Sequence, residues 1–338
     1  MKLLVFSAKD FEIPFLNKAN ENRHKISYTQ DALSSETAMQ AVGYDAISIF
    51  SGDDAGNIVL QKLWDFGVKY IAIRATGFNN INIKPALQLG LKVANTPNYS
   101  PHAIAEHAAA LLLSLNRNLI LADQQVHNYN FVLDNLMGVN LHGKTVGIIG
   151  TGNIGSVMAK IMNGFGCKIL ANDIAPDNDL VEFCDLKYTS LEQLCRQADF
   201  ISLHIPLSYE NHSLINMKRL GWMKKKVILI NTARGAIVDH KALLQALKDR
   251  TIGAYGADVY PRERSIFFRD HSVTWIKDEQ LKELLSYKNV LLTPHQAFVT
   301  EEALENIARI TIGNLDEWEQ HKSCKNEISY RIKTIAQG

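Results

Sequence analysis

Three polar residues could carry out acid–base chemistry together, and each follows an apolar stretch of the sequence by a few residues. They are Arg234, Glu263 and His295. A guanidinium grips a carboxylate with its planar fork and can polarise an adjacent carbonyl. An imidazole titrates near neutrality and can give or take a proton, and a carboxylate beside it favours the imidazolium and fixes its orientation. Taken singly, each residue also has an ordinary interpretation, as a surface charge, a solvated acid or a structural loop histidine.

A glycine-rich turn adds a second kind of chemistry. The residues Gly150-Thr151-Gly152-Asn153-Ile154-Gly155 follow a predicted strand and open a predicted helix. In this context the first glycine permits a tight turn, the second lets the backbone approach a pyrophosphate, and the third allows close helix–strand packing. The N-terminus of the helix attracts phosphates. The turn therefore predicts a dinucleotide site, and the alternative is a glycine-rich turn of purely structural use.

An acid after the next apolar run indicates which dinucleotide is bound. Asp173 lies 18 residues beyond Gly155. A carboxylate there accepts a hydrogen bond from a ribose 2′-hydroxyl and repels a 2′-phosphate. No lysine or arginine follows directly, so NAD is predicted rather than NADP. Combined with the first three residues, this predicts hydride transfer between NAD(H) and a small 2-keto or 2-hydroxy acid.

The elements that must position these residues begin with alternating strands and helices in the first hundred residues. This alternation predicts βαβ units and a parallel sheet. The predicted strands span residues 2–7, 46–50, 70–74 and 92–94. The predicted helices span residues 11–20, 34–42, 58–66 and 84–89.

A second βαβ series begins near Lys144. Its predicted strands span residues 146–149, 168–171, 200–203, 227–230, 253–258 and 290–292. Ligands of such sheets bind beyond the carboxyl ends of the strands, so the three polar residues are expected to converge on one crevice. A helix is predicted over residues 155–164, and Ser190-Leu191-Glu192-Gln193 is typical of a capping box that opens another.

Two further helices suggest how the two series are joined. The helix that begins at Pro101 is apolar nearly all round and is expected to be buried, between domains or subunits. A last helix over residues 301–320 is expected to return to the first domain. The predicted fold class is α/β, with two Rossmann-like domains and parallel sheets. A nucleotide-binding domain (101–298) is inserted into a substrate, or catalytic, domain (1–100 plus 299–338).

Composition excludes several classes of protein. The 338 residues suit two domains, and the net charge of +1 without a basic block argues against a nucleic-acid partner. The apolar start is too short for a secretory signal, and no apolar stretch approaches the ~20 residues that span a bilayer. The spacing of Cys167, Cys184, Cys195 and Cys324 suits neither a metal site nor a disulfide framework. We therefore expect a cytoplasmic protein with reduced thiols, no metal and no membrane partner.

These motifs together resemble the D-isomer-specific 2-hydroxyacid dehydrogenases, and within them the fermentative D-lactate branch. The resemblance runs from about Lys2 to about Glu319. It rests on Tyr99-Ser100-Pro101 with Ile104-Ala105-Glu106-His107, on Gly150–Gly155, on Asn231–Gly235, on Gly256–Glu263 and on Pro294-His295. It implies reversible reduction of pyruvate to D-lactate by NADH, with Arg234 binding substrate, His295 exchanging the proton and Glu263 supporting it. It also implies a homodimer or homotetramer.

The resemblance also assigns the remaining site residues. The implied NAD contacts are Gly150, Gly152, Asn153, Ile154, Gly155, Asp173, Ile205, Pro206, Asn211, Thr232, Ala233 and Asp258. The implied substrate contacts are Thr76, Gly77, Tyr99 and Phe298. An aromatic residue at Phe298 and the long insertion over 262–284 suit the lactate branch. One departure is Asn79, which stands where the family usually has an acid. The loop is expected to bind the substrate carboxylate through backbone N–H groups, so this departure bears on the preferred substrate side chain and not on the reaction class.

Two other functions remain open from the sequence. The chain could prefer another 2-keto acid, such as glyoxylate, hydroxypyruvate or a larger aliphatic or aromatic acid, because a methyl-sized difference in a pocket is worth only about 1–3 kcal/mol. It could instead be an NAD(H)-sensing corepressor-like binding protein; such relatives typically carry peptide-binding or disordered extensions, and we expect none here because few residues follow the last predicted helix. Formate dehydrogenases have a related fold, but they have glutamine where this chain has Glu263. This difference disfavours formate dehydrogenase activity.

Overall fold

A computed structural model describes residues 1–329 of the protein. The chain divides into two compact units. The first consists of Met1–Ser100 and the described residues from Val299 onward, and the second is Pro101–Phe298. The second unit is therefore inserted into the sequence of the first. Residues 330–338, which the sequence assigned to the substrate domain, lie outside the described residues.

The first unit is built on a five-stranded parallel sheet in the order β2-β1-β3-β4-β5. Its strands are β1 (Lys2–Val5), β2 (Lys25–Tyr28), β3 (Ala46–Ile49), β4 (Tyr70–Ile73) and β5 (Lys92–Ala94). Its helices are α1 (Ile13–Asn20), α2 (Asn57–Asp65), α3 (Ile83–Gln88) and α12 (Glu301–His321). The central strands β3 and β4 are buried along their whole length, as the continuous apolar runs of a sheet covered on both faces predict.

The sequence interpretation of this unit was wrong in two places. The predicted helix over residues 34–42 is only a four-residue 3₁₀ helix, Ala38–Ala41. The Thr37 hydroxyl donates to the carbonyl of Ala32, and Ser34 and Thr37 bond each other's backbone N–H, so local side-chain bonds compete with a helix. Strand β2 was missed because it lies at the sheet edge and none of its residues is fully buried, which leaves no apolar run to detect.

The second unit has a seven-stranded parallel sheet in the order β12-β11-β10-β9-β6-β7-β8. Its strands are β6 (Thr145–Ile149), β7 (Lys168–Asn172), β8 (Lys187–Tyr188), β9 (Phe200–Leu203), β10 (Ile228–Asn231), β11 (Ala254–Ala257) and β12 (Val290–Leu292). Every strand predicted here is present, with ends shifted by a residue or so. The strand order reverses between β6 and β9, which is where a doubly wound sheet opens a crevice for a dinucleotide.

Eight helices surround this sheet in the described chain. They are α4 (Pro101–Asn116), α5 (Leu119–His127), α6 (Asn153–Gly164), α7 (Asn178–Cys184), α8 (Leu191–Gln197), α9 (Met217–Leu220), α10 (His240–Lys248) and α11 (Glu279–Ser286). The Ser190 hydroxyl accepts the N–H of Gln193 and so caps α8, as the capping pattern predicted.

The apolar helix α4 is used inside the second unit. It packs against α6, β10 and β11, and its buried residues join the core on one face of the sheet. A Cβ atom on Gly256 of β11 would come within 3.0 Å of the Leu115 side chain, so this glycine lets helix and sheet approach closely. The burial predicted for α4 is confirmed, and its buried residues belong to the core of the second unit.

Other sequence expectations concern membranes, metals and thiols. Within residues 1–329, no helix is long and apolar enough to cross a membrane. The same residues hold no cluster of three or more histidine, cysteine or acidic side chains suited to a metal ion. All four cysteines are free, and burial raises the pKa of the Cys167 and Cys195 thiols to about 11.

Candidate active site

The glycine-rich turn joins β6 to α6 as the sequence predicted. Gly150 has a φ of +91°, and a Cβ atom there would lie 2.5 Å from the carbonyl oxygen of His204. At Gly155 a Cβ atom would lie 1.9 Å from the carbonyl oxygen of Gly150. Gly152 instead faces open space at the N-terminus of α6, where a side chain would occupy the position expected for a pyrophosphate. The turn therefore fits a dinucleotide.

Asp173 lies directly beside this turn, after the end of β7. Its carboxylate accepts hydrogen bonds from the N–H of Thr151 at 2.5 Å, the hydroxyl of Thr151 at 3.1 Å and the N–H of Ala175 at 2.9 Å. Burial raises the pKa of Asp173, but these hydrogen bonds outweigh it and hold the pKa below its ordinary value. The group is therefore an anion near neutral pH, the charge that would repel the 2′-phosphate of NADP.

The other residues expected to contact NAD follow β9 and β10. The amide of Asn211 donates to the carbonyl of Pro206 and accepts the N–H of Ser208, so it closes the loop that contains Ile205 and Pro206. Asn231, at the end of β10, accepts the N–H of Ala233 and shapes the next turn. The Thr232 hydroxyl is buried and bonds no other described residue, which leaves it able to bond a ligand.

Arg234 follows β10, and the backbone around it is closely packed. Its guanidinium donates to the carbonyl of Ala233, and its own carbonyl accepts the amide of Asn231. A Cβ atom on the next residue, Gly235, would lie 2.3 Å from the carbonyl carbon of Tyr260. Only a glycine fits there, so the turn of Arg234 lies against the segment that leads from β11 to Glu263.

Glu263 and His295 are in direct contact. The Oε1 atom of Glu263 lies 2.8 Å from Nδ1 of His295, while its Oε2 accepts the N–H of Tyr260 at 2.9 Å. The Phe268 ring, from the long insertion, lies beside the imidazole with centroids 5.9 Å apart. Arg234 and His295 follow strands β10 and β12, which flank β11, so both side chains start from the carboxyl edge of one parallel sheet. The structure thus brings the three predicted residues to that edge.

Hydrogen bonds from side chains hold the segments of Thr76 and Tyr99, two of the residues expected to touch substrate. Thr76 donates its hydroxyl to the carbonyl of Thr96, and its own carbonyl accepts the amide of Asn95. Asn306 on α12 donates to the carbonyl of Tyr99. Gly77 lies in the loop that Thr76 helps to fix. Phe298 is the last residue of the second unit and is buried.

Arg74, at the base of this substrate loop, is buried and pairs with Glu12 through two hydrogen bonds of 3.1 Å. It also donates to the carbonyl of Phe6 and the hydroxyl of Ser48, so it joins the ends of β1, β3 and β4. The sequence analysis placed Arg74 only at the end of a predicted strand, residues 70–74. Its structural role depends on residues 26 to 68 positions away, which no local pattern reveals.

Three other residues near the site were missed. The Tyr188 hydroxyl lies 2.8 Å from that of Thr151 and accepts the N–H of Asp177, so it belongs to the neighbourhood of Asp173. Phe268 and His107 contact the residues around His295. Phe268 lies within the insertion that the sequence singled out, but its contact with His295 has no sequence signature.

Comparison with known proteins agrees with this geometry. Residues 109–297 match the family model described as D-isomer specific 2-hydroxyacid dehydrogenase, NAD binding domain. The chain belongs to this family of NAD-dependent dehydrogenases. Its cofactor is NAD, which fits the open space at Gly152 and the anionic Asp173.

Individual relatives cover almost the whole chain. The chain is 42% identical to a D-lactate dehydrogenase of Escherichia coli, over 97% of this chain and 100% of that protein. It is 38% identical to an aromatic 2-oxoacid reductase of Clostridium sporogenes, over 97% of this chain and 99% of that one. Its fold is similar to the apo-structure of D-lactate dehydrogenase from Escherichia coli, with a TM-score of 0.88, 40% identity, and coverage of 97% of this chain and all of that one.

Proposed function

We propose that this protein is an NAD-dependent D-lactate dehydrogenase that interconverts pyruvate and D-lactate in fermentation. The observation that carries the proposal is the Glu263–His295 pair, at the same carboxyl edge of the NAD-binding sheet from which Arg234 starts. The 42% identity with the D-lactate dehydrogenase of Escherichia coli favours pyruvate among the 2-keto acids. Phe298 and the long insertion over 262–284 point to the same branch.

His295 would exchange its proton at one particular ring atom. Because the Glu263 carboxylate accepts a hydrogen bond from Nδ1, that nitrogen carries hydrogen in both protonation states. The atom that gains and loses a proton is therefore Nε2. In pyruvate reduction Nε2–H donates to the carbonyl oxygen as it becomes a hydroxyl, and in lactate oxidation neutral Nε2 takes that proton back.

Arg234 would hold the substrate carboxylate with two parallel N–H donors and so orient the carbonyl carbon. NADH, when bound, would supply a hydride to this carbon. By the family resemblance, Thr76, Gly77, Tyr99 and Phe298 would contact the substrate, with Thr76 and Gly77 acting through their backbone N–H groups. Thr232, whose buried hydroxyl has no hydrogen-bond partner among the described residues, would contact the cofactor along with Ile154, Ala233 and Asp258.

The test is NADH oxidation with a panel of 2-keto acids and analysis of the product's chirality. Pyruvate, glyoxylate, hydroxypyruvate, 2-ketobutyrate and phenylpyruvate are compared by kcat/KM. We expect pyruvate to give the highest value and the product to be D-lactate. A clearly higher value for a larger or more polar acid would overturn the substrate assignment, and no turnover with any of them would favour an NAD(H)-sensing binding protein.

A second candidate is reduction of aromatic 2-keto acids. The 38% identity with an aromatic 2-oxoacid reductase favours it, because that relative also matches nearly the whole chain. Asn79, where the family usually has an acid, leaves room for a different side-chain preference. Phenylpyruvate in the same panel separates the two candidates.

We further propose that the protein is a homodimer or homotetramer. Helix α5 and the segment after it expose a run of large apolar side chains, each close to half exposed or more. They are Leu119, Ile120, Val126, Tyr129, Phe131, Val132, Leu133, Met137 and Val139. Monomers rarely expose a continuous apolar surface of this kind. Light scattering after size-exclusion chromatography tests it: we expect Leu133→Glu to lower the mass to that of a monomer, and a monomeric wild type would refute the proposal.

A cytoplasmic location without a nucleic-acid partner is also proposed. The free cysteines are typical of proteins kept in a reducing compartment, and the net charge of +1 gives no electrostatic basis for binding nucleic acid. Cell fractionation and a filter-binding assay at low salt check the two statements.

A further inference from the structure

The turn that carries His295 has a backbone conformation that its own sequence does not favour. His295 has a φ of +58°, in the left-handed region that costs a residue with a side chain about 1 kcal/mol or more. Such a conformation persists only where neighbouring groups enforce it, and it is common at functional sites. Neighbouring groups therefore enforce the shape of residues 293–297, which form the His295 turn.

Asp258, immediately after β11, provides most of the restraint. Its side chain is 1% exposed. Its Oδ1 accepts the hydroxyl of Thr293 at 2.6 Å and the N–H of Gln296 at 2.8 Å, and its Oδ2 accepts the N–H of Ala297 at 2.8 Å. The three donors come from both sides of His295. One buried carboxylate therefore fixes the two ends of the His295 turn.

His107 on α4 completes this network. Its Nε2 lies 3.0 Å from the hydroxyl oxygen of Thr293 and 3.5 Å from Oδ1 of Asp258. A threonine hydroxyl has one hydrogen, and at 2.6 Å that hydrogen is directed to Asp258. Nε2 of His107 must therefore be the donor to Thr293. Without this donor, the threonine hydroxyl could rotate away from the carboxylate.

We propose that His107 is a positioning residue for proton transfer. Its Nε2–H orients the Thr293 hydroxyl, this hydroxyl and Asp258 fix the His295 turn, and the turn aims Nε2 of His295 at the substrate. In this role His107 acts only through Thr293 and Asp258, the two residues that its Nε2 approaches. The inference rests on the proposed role of His295, and it gives a function to a histidine that so far only contributed to a sequence motif.

The first arm of the test uses substitutions in the whole enzyme. His107→Phe keeps a ring but loses the donor, whereas His107→Gln places an amide N–H near the same position. Loss of one positioning hydrogen bond is expected to lower kcat about tenfold in His107→Phe. KM for the keto acid and the dissociation constant of NADH should change less than about twofold, because neither ligand loses a contact. His107→Gln should recover most of kcat.

Thr293→Val is the matched variant, because it removes the next hydroxyl in the same chain of hydrogen bonds. It also tests the proposal if His107→Phe does not fold. It should lower kcat by a similar factor, and the double variant should be no slower than either single one, because both remove one connected chain of hydrogen bonds. Effects of His107→Phe and Thr293→Val that multiply in the double variant would overturn the proposal. So would a normal kcat in His107→Phe, or a loss that His107→Gln does not recover.

The second arm needs no turnover. The Nδ1–H of His295, bonded to Glu263, is expected to give a downfield proton NMR signal that is absent from His295→Gln. We expect the signal to shift or broaden in His107→Phe and to return in His107→Gln. If the wild type reduces no keto acid but this pattern holds, the proposed function fails and the positioning role stands. An unchanged signal in His107→Phe would refute the positioning role whatever the activity.

Discussion

His240 should make the second unit less stable in acid. The residue is 6% exposed, and its ring lies edge-on to Tyr260 with centroids 5.1 Å apart. Neither ring nitrogen has a hydrogen-bond partner among the described residues. Burial, with a smaller contribution from the charge of Arg262, lowers the pKa of His240 to about 4. The folded protein therefore keeps this ring neutral until strongly acidic pH.

The size of the effect follows from proton linkage. In the unfolded chain a histidine has a pKa of about 6.5. Below that value the unfolded chain binds a proton that the folded protein binds only near pH 4, so stability falls as the pH falls through this window. At pH 5 the unfolded ring is almost fully charged and the folded ring about one-tenth charged, which amounts to about 2 kcal/mol lost relative to pH 8.

Urea denaturation at pH 8 and pH 5 measures this loss. His240→Phe keeps a ring against Tyr260 but cannot take up a proton. Groups elsewhere titrate equally in both proteins, so the wild type should lose about 2 kcal/mol more than the variant between the two pH values. His127→Phe, at a position whose side chain is 75% exposed, is the control and should behave as the wild type. Equal acid losses in the wild type and His240→Phe would refute the reasoning.

Four further predictions concern the site and its support. His295→Gln should lower kcat by a factor of about 10² or more while NADH binding, followed by fluorescence titration, stays unchanged; a near-normal kcat would exclude His295 as proton donor. Arg234→Lys should raise KM for pyruvate and also lower kcat in steady-state assays, because a point charge cannot copy the two-pronged guanidinium contact. Asp173→Ala should reduce the preference for NADH over NADPH, measured as a ratio of kcat/KM, and an unchanged ratio would refute the ribose role. Arg74→Met should cost about 3–5 kcal/mol in urea denaturation, since it leaves the buried Glu12 carboxylate unpaired, and a loss below about 1 kcal/mol would contradict this account.

Much of the second unit could be predicted from the sequence because its signals are local. The strand before Gly150, the glycine-rich turn and the acid at Asp173 lie within a few dozen residues of one another. Ser190 caps its helix through a bond three residues away. In each case the interactions that determine the local structure are made by residues close together in the sequence.

The features that could not be predicted depend on distant residues or on weak burial. His107 and Thr293 are 186 positions apart and meet only because α4 lies along the sheet near β11 and β12. Tyr188 reaches Thr151 across 37 positions. Strand β2 is partly exposed at a sheet edge, so its sequence carries little of the apolar pattern on which strand prediction depends.

The insertion of the second unit into the first has a consequence for the order of assembly on the ribosome. Pro101–Phe298 leaves the ribosome as one uninterrupted stretch, but the first unit lacks α12 until the whole second unit has been made. Trp318 of this helix is fully buried and stacks on Tyr70 of β4 with centroids 5.0 Å apart. Until α12 is made, the part of this sheet face that it covers beside α1 remains exposed. We therefore expect the part of the chain that is made first to finish folding last, and the nascent protein to need protection from aggregation during that interval.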